Sequence, residues 1–277
     1  MAAGRTRLPG AGREDRFWFG FSGQVAIVTG GTRGIGRAIA QAFSDAGADV
    51  VVCGRHPPER DGPGRAVFVQ ADVRDADQAK GLVDETVRRF GRLDVLVNNA
   101  GGSPAVPAAE ASARFVRSVV ELNLLAPLFC SQSANAVMQE QPSGGAIVNI
   151  GSVSGTRPSP GAAAYGAAKA GLANLSATLA VEWAPRVRVN CVIGGLIATD
   201  DAEAHYGGPE GLAKVAATVP AGRMGTPEDV AGLCLALASP VTSYVSGAVI
   251  VAHGGGERPA YLTALEEHLE GHLEGHV

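Results

Sequence analysis

Short apolar runs alternate with amphipathic stretches along most of the chain. Seven of these runs are typical of strands that are buried on both faces of a parallel sheet. They occupy residues 25–28, 49–53, 66–70, 94–97, 146–150, 187–192 and 248–252. Apolar residues at three- and four-residue spacing predict helices between these strands. The predicted helices include one directly after the first strand, those at residues 77–90, 112–138 and 161–183, and a last one that opens at Thr226.

This order of elements predicts an α/β fold, with a seven-stranded parallel sheet and helices on both of its faces. We assign residues 22–256 to this single domain, residues 1–21 to an N-terminal tail and residues 257–277 to a C-terminal extension. The tail is predicted to be poorly ordered. Its aromatic cluster is predicted to fold back on the body or on a neighbouring subunit, rather than to bind a ligand. That cluster comprises Phe17, Trp18, Phe19 and Phe21.

The C-terminal extension contains the sequence Leu-Glu-Gly-His twice. A helix there would place His268, His272 and His276 on one face, which raises the alternative of a metal site. Gly271 and Gly275 would each cost such a helix about 1 kcal/mol. We therefore predict no metal site, and we favour a mobile tail or one that docks on a partner subunit.

Composition excludes several classes of function. The net charge of −4 gives no reason to expect nucleic acid or an anionic membrane as a partner. No apolar run approaches the roughly 20 residues of a membrane-spanning helix. The four cysteines lack paired metal-type or redox-type spacing and lie in apolar segments, which predicts reduced core residues and a cytoplasmic location.

The stretch from residue 24 to residue 40 carries the first functional signal. An apolar strand is followed by the turn Thr29-Gly30-Gly31-Thr32-Arg33-Gly34-Ile35-Gly36 and then by a helix. Glycines in such a turn allow a tight bend, close approach of the backbone to a phosphate and close packing of helix on strand. The helix start supplies free N–H groups and the positive end of its dipole. The turn therefore predicts a dinucleotide site.

The second strand indicates which dinucleotide is bound. Dinucleotide folds place an acidic residue after this strand for a ribose 2′-hydroxyl, or an arginine for a 2′-phosphate. This chain has Gly54-Arg55-His56 there, and Arg33 is a second cation within the glycine turn. NADP(H) is therefore favoured over NAD(H). Asp72, after the third strand, is predicted either to bind the adenine amino group or to cap the next helix.

Further polar residues follow the predicted strands and helices. Asn98-Asn99-Ala100-Gly101 and Ser152 stand at carboxyl strand ends, where open α/β sheets bind ligands. Asn123 lies in mid-helix, where an asparagine is unfavourable. Tyr165 and Lys169 are one helical turn apart, so they share a face. The irregular segment at residues 196–219 is predicted to be a lid over the substrate.

Taken with the glycine turn, these motifs resemble the short-chain dehydrogenase/reductase family over about residues 22–256. The resemblance implies a single-domain, Rossmann-like, doubly wound NAD(P) oxidoreductase that acts on carbonyl or alcohol substrates and is usually a homotetramer. The implied catalytic residues are Asn123, Ser152, Tyr165 and Lys169. The implied cofactor-binding residues are Gly30, Thr32, Arg33, Gly34, Ile35, Gly36, Arg55, Asp72, Val73, Asn99, Ala100, Gly101, Tyr165, Lys169 and Thr199.

The resemblance assigns a role to each catalytic residue. Tyr165 is the general acid in reduction and the base in oxidation, and we expect the ammonium of Lys169 to favour its tyrosinate. Lys169 would also bind the nicotinamide ribose, Ser152 would hold the carbonyl oxygen, and Asn123 would carry a water that links Lys169 to solvent. Thr199 would contact the nicotinamide carboxamide.

Two positions depart from the family pattern. Gly194-Gly195 replaces the usual Pro-Gly, which predicts a looser loop after the sixth strand. His253-Gly254-Gly255 replaces Asp-Gly-Gly, which predicts altered packing but retained activity.

Three functions remain open at this level. The leading hypothesis is an NADP(H)-dependent ketone or 3-oxoacyl reductase. The second is an alcohol or steroid-like dehydrogenase that oxidises its substrate with NAD(P)+. The third is a regulatory protein that binds the cofactor without turnover, which the intact Ser152, Tyr165 and Lys169 disfavour.

Overall fold

The computed structural model describes residues 20–58, 62–200 and 206–262, together with residues 202 and 265. Phe17, Trp18 and Phe19 of the aromatic cluster lie outside the described residues, as do the three histidines of the C-terminal extension. Phe21 is described, and it belongs to the body. Its ring packs edge-on against Phe43, with ring centres 4.9 Å apart, and it is buried.

Seven parallel strands form one sheet in the order β3-β2-β1-β4-β5-β6-β7. The strands are β1 Val25–Thr29, β2 Asp49–Gly54, β3 Val67–Gln70, β4 Val95–Asn98, β5 Gly145–Ser152, β6 Val187–Gly194 and β7 Val249–Ala252. The strand order reverses between β1 and β4, and open α/β sheets bind ligands at such a switch point. The predicted fold class is confirmed.

Helices cover both faces of this sheet. They are α1 Gly34–Asp45, α2 Ala76–Phe90, α3 Ala113–Val120, α4 Ala126–Glu140, α5 Ala163–Glu182, α6 Pro209–Ala217 and α7 Pro227–Ala238. One buried apolar cluster joins the sheet to α1 and α7, and a second joins it to α2, α4 and α5. Within the described ranges, no helix combines the length and apolar character that a membrane crossing needs.

The helix predicted at residues 112–138 is three elements rather than one. α3 leads into a π-helical turn, Glu121–Leu125, and then into α4. Such turns occur frequently at functional sites. The last helix begins as predicted, because Thr226 and Asp229 form a reciprocal capping box with Pro227 at the first helical position.

Candidate active site at the switch point of the sheet

The turn between β1 and α1 requires glycine at several positions. Gly30 has a φ of +63° and Gly34 a φ of +50°, in the left-handed region that favours glycine. Gly36 is required by packing, because an added Cβ would lie 2.3 Å from the carbonyl oxygen of Gly30 and 2.4 Å from Nδ2 of Asn99. The glycines thus allow α1 to begin in close contact with the ends of β1 and β4.

The N-terminus of α1 presents backbone donors that no described side chain caps. The N–H of Arg37 donates to the carbonyl oxygen of Arg33. The N–H groups of the three residues between them, including Ile35, have no intrahelical partner, and the helix dipole favours an anion beside them. Cγ2 of Thr199 lies across the turn, 3.7 Å from where a Cβ on Gly34 would be. This donor set fits the diphosphate of a dinucleotide.

The end of β4 holds the glycine turn through two side chains. Oγ1 of Thr29 accepts 3.0 Å hydrogen bonds from the N–H groups of Asn99 and Ala100. Nδ2 of Asn99 donates to the carbonyl oxygens of Thr29 and Gly30, at 3.0 and 3.2 Å. The sequence pattern places Asn99 and Ala100 at a ligand-binding strand end, and the structure adds that Asn99 braces the turn itself.

The predicted ribose-binding residues lie where β2 ends. Arg55 follows this strand directly and is exposed. Oγ1 of Thr32 lies 4.0 Å from where a Cβ on Gly54 would be, so the glycine turn reaches the end of β2. Arg33, also exposed, is the next residue of that turn. The structure therefore places both arginines on segments that meet at this strand end.

Asp72 forms an ion pair with Arg74 rather than a helix cap. Nε of Arg74 donates to Oδ1 of Asp72 at 2.9 Å, and Nη2 donates to Oδ2 at 2.5 Å. The Arg74 guanidinium lowers the pKa of the Asp72 carboxyl. Asp75 caps α2 instead, by accepting two N–H bonds from the first turn. The capping alternative for Asp72 is therefore wrong. Val73, beside it, is buried.

Ser152, Tyr165 and Lys169 meet at the carboxyl end of β5. Ser152 is the last residue of β5, and Tyr165 and Lys169 lie in the first two turns of α5. The side chain of Ser152 lies close enough to the hydroxyl of Tyr165 to lower its pKa. Nζ of Lys169 lies 5.7 Å from the centre of the Tyr165 ring and donates a 2.7 Å hydrogen bond to the carbonyl oxygen of Ile150. The structure thus brings three predicted residues together.

Burial decides the protonation of Tyr165 and Lys169. It raises the pKa of the Tyr165 hydroxyl, and the Ser152 side chain offsets only part of this effect. Burial also lowers the pKa of Lys169 to about 8. The causes that act on the pKa of Tyr165 here are burial and the Ser152 side chain, so the expectation that the ammonium of Lys169 favours tyrosinate stays a prediction. Tyr165 is a protonated donor at neutral pH.

Asn123 lies in the π-helical turn between α3 and α4. Its Nδ2 donates 2.9 Å hydrogen bonds to the carbonyl oxygens of Val119 and Gly102, and its Oδ1 accepts one from the N–H of Gly102. An added Cβ on Gly101 would lie 2.8 Å from Oδ1 of Asn123 and 3.1 Å from Nζ of Lys169. Gly101 therefore leaves room for Asn123 and Lys169 to approach the same point.

Replacing Lys169 with Met tests the cost of the buried ammonium. Because the pKa of Lys169 is lowered from 10.5 to about 8, its charged form destabilises the folded protein by about 3 kcal/mol. Loss of the hydrogen bond to Ile150 would cancel about 1 kcal/mol of the stability gained by removing the charge. We therefore expect Lys169→Met to raise the free energy of unfolding by about 2 kcal/mol near pH 7.

The pH dependence of this difference identifies its cause. The native state holds the lysine proton less tightly than the unfolded state does, so the stability contributed by Lys169 rises with pH between about 8 and 10.5. The advantage of Lys169→Met should therefore shrink over that interval in urea denaturation. A difference that is the same at every pH would show that the buried charge is not responsible.

A buried network of amides and hydroxyls joins β4 and β5 to α4 and α5. Nδ2 of Asn98 donates to Oδ1 of Asn149 at 2.8 Å and to Oγ of Ser131 at 2.9 Å. Nδ2 of Asn149 donates to Oγ of Ser176 at 2.8 Å. All four residues are buried, so the network fixes the position of α5 on the sheet. Asparagines inside two apolar strands are the sequence signal that points to it.

The loop after β6 contacts the segment after β7. The N–H of Gly195 donates a 2.9 Å hydrogen bond to the carbonyl oxygen of Ala252. An added Cβ on Gly195 would lie 2.6 Å from Cβ of His253, so the residue after Gly194 packs against the second position that departs from the family pattern. The looser loop stays a prediction.

The predicted lid, residues 196–219, contains α6 and is held by the segment after β7. The N–H of Arg258 donates a 2.9 Å hydrogen bond to the carbonyl oxygen of Thr218. Glu257 forms an ion pair with Arg157, which lies in the loop that follows Ser152. The first residues of the C-terminal extension thus join the lid to the site. Across the described part of the chain, His, Cys, Asp and Glu form no cluster of three or more suited to a metal.

Comparison with known proteins assigns the family. Residues 30–257 match a family model described as enoyl-(acyl carrier protein) reductase. The chain is 41% identical over 246 residues to an uncharacterised oxidoreductase of Methylorubrum extorquens, covering 84% of this chain and 97% of the relative. It is 38% identical to the 3-oxoacyl-[acyl-carrier-protein] reductase of a Synechocystis species, covering 84% and 96%.

A solved structure agrees with this assignment. The ligand-free aldohexose dehydrogenase of Thermoplasma acidophilum has a TM-score of 0.80 and 30% identity, covering 85% of this chain and 94% of that one. The chain therefore belongs to the short-chain dehydrogenase/reductase family, and it is an oxidoreductase that acts on carbonyl or CH–OH groups.

Proposed function

We propose that this protein is an NADP(H)-dependent reductase of a ketone or a 3-oxoacyl compound. One observation carries the proposal: the side chain of Ser152 lies close enough to the Tyr165 hydroxyl to lower its pKa, and Nζ of Lys169 lies 5.7 Å from the Tyr165 ring. A protonated phenol beside a second hydroxyl is what a developing alkoxide requires. The similarity to a 3-oxoacyl-[acyl-carrier-protein] reductase supports the direction of the reaction.

In this proposal each residue has a distinct task. A bound nicotinamide supplies the hydride in reduction and, when oxidised, adds a positive charge that favours tyrosinate. The hydroxyl of Ser152 donates to the carbonyl oxygen, and Tyr165 gives its proton to that oxygen as negative charge develops. Lys169 stabilises the resulting tyrosinate and binds the nicotinamide ribose. Asn123 and Gly101 keep Lys169 in place, with a water carried by Asn123 linking it to solvent.

We assign the dinucleotide to the cradle formed by the glycine turn and the start of α1. Gly30, Gly34, Ile35 and Gly36 would face the diphosphate, and Thr199 the nicotinamide carboxamide. Asp72 and Val73 would border the adenine, and Ala100 and Asn99 the adjoining ribose. Thr32, Arg33 and Arg55 would hold the 2′-phosphate.

Replacing Arg55 with Asp tests the preference for NADP(H). The introduced carboxylate would repel a 2′-phosphate and accept a hydrogen bond from a 2′-hydroxyl. We expect the dissociation constant of NADPH to rise by about 100-fold, while that of NADH changes by about threefold or less. Fluorescence titration with both cofactors measures the two constants. Equal effects on both would rule out a role for Arg55 in recognising the 2′-phosphate.

The direct test of the function is a substrate panel. Ketones, β-ketoacyl thioesters and secondary alcohols would be assayed with NADPH and NADH in reduction, and with NADP+ and NAD+ in oxidation. The proposal predicts the highest kcat/KM for a carbonyl substrate with NADPH. Faster oxidation of an alcohol would favour the dehydrogenase alternative. Tight NADPH binding without turnover of any compound would favour a regulatory protein.

We further propose a cytoplasmic homotetramer. Several large apolar side chains on the surface support association of copies, because exposed apolar patches mark interfaces. Val249 and Val251 of the edge strand β7 are 43% and 45% exposed, and Val181 on α5 is 80% exposed. The cytoplasmic location is supported by four cysteines that are all free and buried.

A further inference from the structure

A cavity of about 180 Å³, the Tyr165 pocket, is lined in part by Tyr165. It lies between the loop after β4, the first turn of α3 and the first turn of α5. Its walls are largely apolar and rich in alanine. They include Val106, Ala111, Phe115, Val116 and Ala164. An apolar group that is covalently attached to a carbonyl held at Tyr165 would therefore be removed from water here.

Hydrogen bonds hold the backbone around the Tyr165 pocket in place. The N–H of Val106 donates a 2.8 Å hydrogen bond to the carbonyl oxygen of Gly161, which joins the loop after β4 to the segment before α5. Ser112 caps α3 by accepting from the N–H of Phe115 at 3.2 Å. Hydrogen bonds thus fix the loop after β4 and the start of α3, which are two of the three walls. A pocket whose walls are already ordered reduces the entropic cost of binding.

Phe115 lines both the pocket and a larger open groove of about 650 Å³, whose other lining residues include Arg74, Arg114 and Arg117. Arg114 and Arg117 are exposed on α3. An apolar chain that extended past Phe115 would leave an apolar wall and enter a charged, hydrated surface, where it gains no further burial. The pocket therefore sets an upper limit on chain length.

We infer, on the basis of the proposed carbonyl reduction, that the Tyr165 pocket binds an apolar substituent of up to about six carbon atoms on the reacting carbonyl. About 180 Å³ accommodates about six atoms of the size of water, at about 30 Å³ each. The substrate class is thus a ketone, or the 3-oxo group of an acyl compound, with a short alkyl substituent.

Methyl n-alkyl ketones from 2-butanone to 2-decanone test the limit, in the presence of NADPH. We expect kcat/KM to rise by about fourfold for each methylene until the alkyl group has about six carbons, and then to level off or fall. The gain should appear in KM, because burial far from the reacting atoms binds ground state and transition state alike. A profile that is flat from ethyl to hexyl would overturn the inference.

Two substitutions locate the binding site of the alkyl group. Ala111→Leu fills the pocket and should lower the ratio of kcat/KM for 2-octanone to that for 2-butanone by about tenfold or more. Phe115→Ala removes the wall that the pocket shares with the groove and should move the limit to longer chains. Ala76→Leu is the matched control, because Ala76 is exposed at the start of α2. If Ala111→Leu and Ala76→Leu change the ratio equally, the alkyl group binds elsewhere.

Failure of the proposed function would be recognised separately. If wild-type protein reduces none of these ketones, the dissociation constants of the same series, measured by calorimetry with NADPH present, decide the inference. Constants that fall with chain length in wild type and not in Ala111→Leu would place the alkyl group in the Tyr165 pocket. Constants that do not depend on chain length would exclude it.

Discussion

Tyr165→Phe should lower kcat for carbonyl reduction by about 1,000-fold while leaving the NADPH dissociation constant within about twofold of wild type. The substitution removes one hydroxyl, and that hydroxyl is the proton donor in the proposed reaction. Burial raises the pKa of this hydroxyl and keeps it protonated, and the protonated form is the one that donates a proton in reduction. Ring packing is retained, because Phe fills nearly the same space.

Tyr244→Phe is the matched control for this experiment. Tyr244 is fully exposed, so the same loss of a hydroxyl there should change neither kcat nor cofactor binding. Single-turnover measurements with NADPH would separate the chemical step from product release. If Tyr165→Phe retained wild-type turnover, the proton would have to come from another group, and the roles proposed for Ser152 and Lys169 would fail with it.

The sequence predicted the sheet well because burial on both faces leaves a simple signal. Each parallel strand is a continuous apolar run, and the observed strands differ from the predicted ones by no more than two residues at either end. The sequence also identified Ser152, Tyr165 and Lys169 as site residues. Helical spacing and the position of a strand end can each be recognised within a single segment.

What the sequence did not predict depends on contacts between distant segments. The bonds of Asn99 to Thr29 and Gly30 join residues about 70 positions apart. The ion pair between Asp72 and Arg74 replaced a cap that local rules allowed. The raised pKa of Tyr165 reflects burial in the folded protein, which helical spacing alone does not reveal.

Gly36→Ala should destroy the cradle at the start of α1. A Cβ at this position would lie within 2.4 Å of both the carbonyl oxygen of Gly30 and Nδ2 of Asn99, so the turn or the Asn99 side chain must move. Overpacking of this kind costs about 1–3 kcal/mol, more than the helix propensity of about 1 kcal/mol that alanine gains over glycine. We expect a lower free energy of unfolding and a rise of about 100-fold or more in the NADPH dissociation constant, because the displaced N–H groups no longer converge on a diphosphate.

Gly81→Ala shows what the same substitution does without a clash. Gly81 is exposed on α2, and an added Cβ there would meet nothing within 4 Å. We expect this variant to gain about 1 kcal/mol in free energy of unfolding and to bind NADPH as wild type does. Urea denaturation and NADPH fluorescence titration on both variants separate helix propensity from the geometry of the turn. Undiminished NADPH binding by Gly36→Ala would mean that the dinucleotide does not bind at this turn. The nicotinamide could then not be placed beside Tyr165, Ser152 and Lys169 on the basis of this turn.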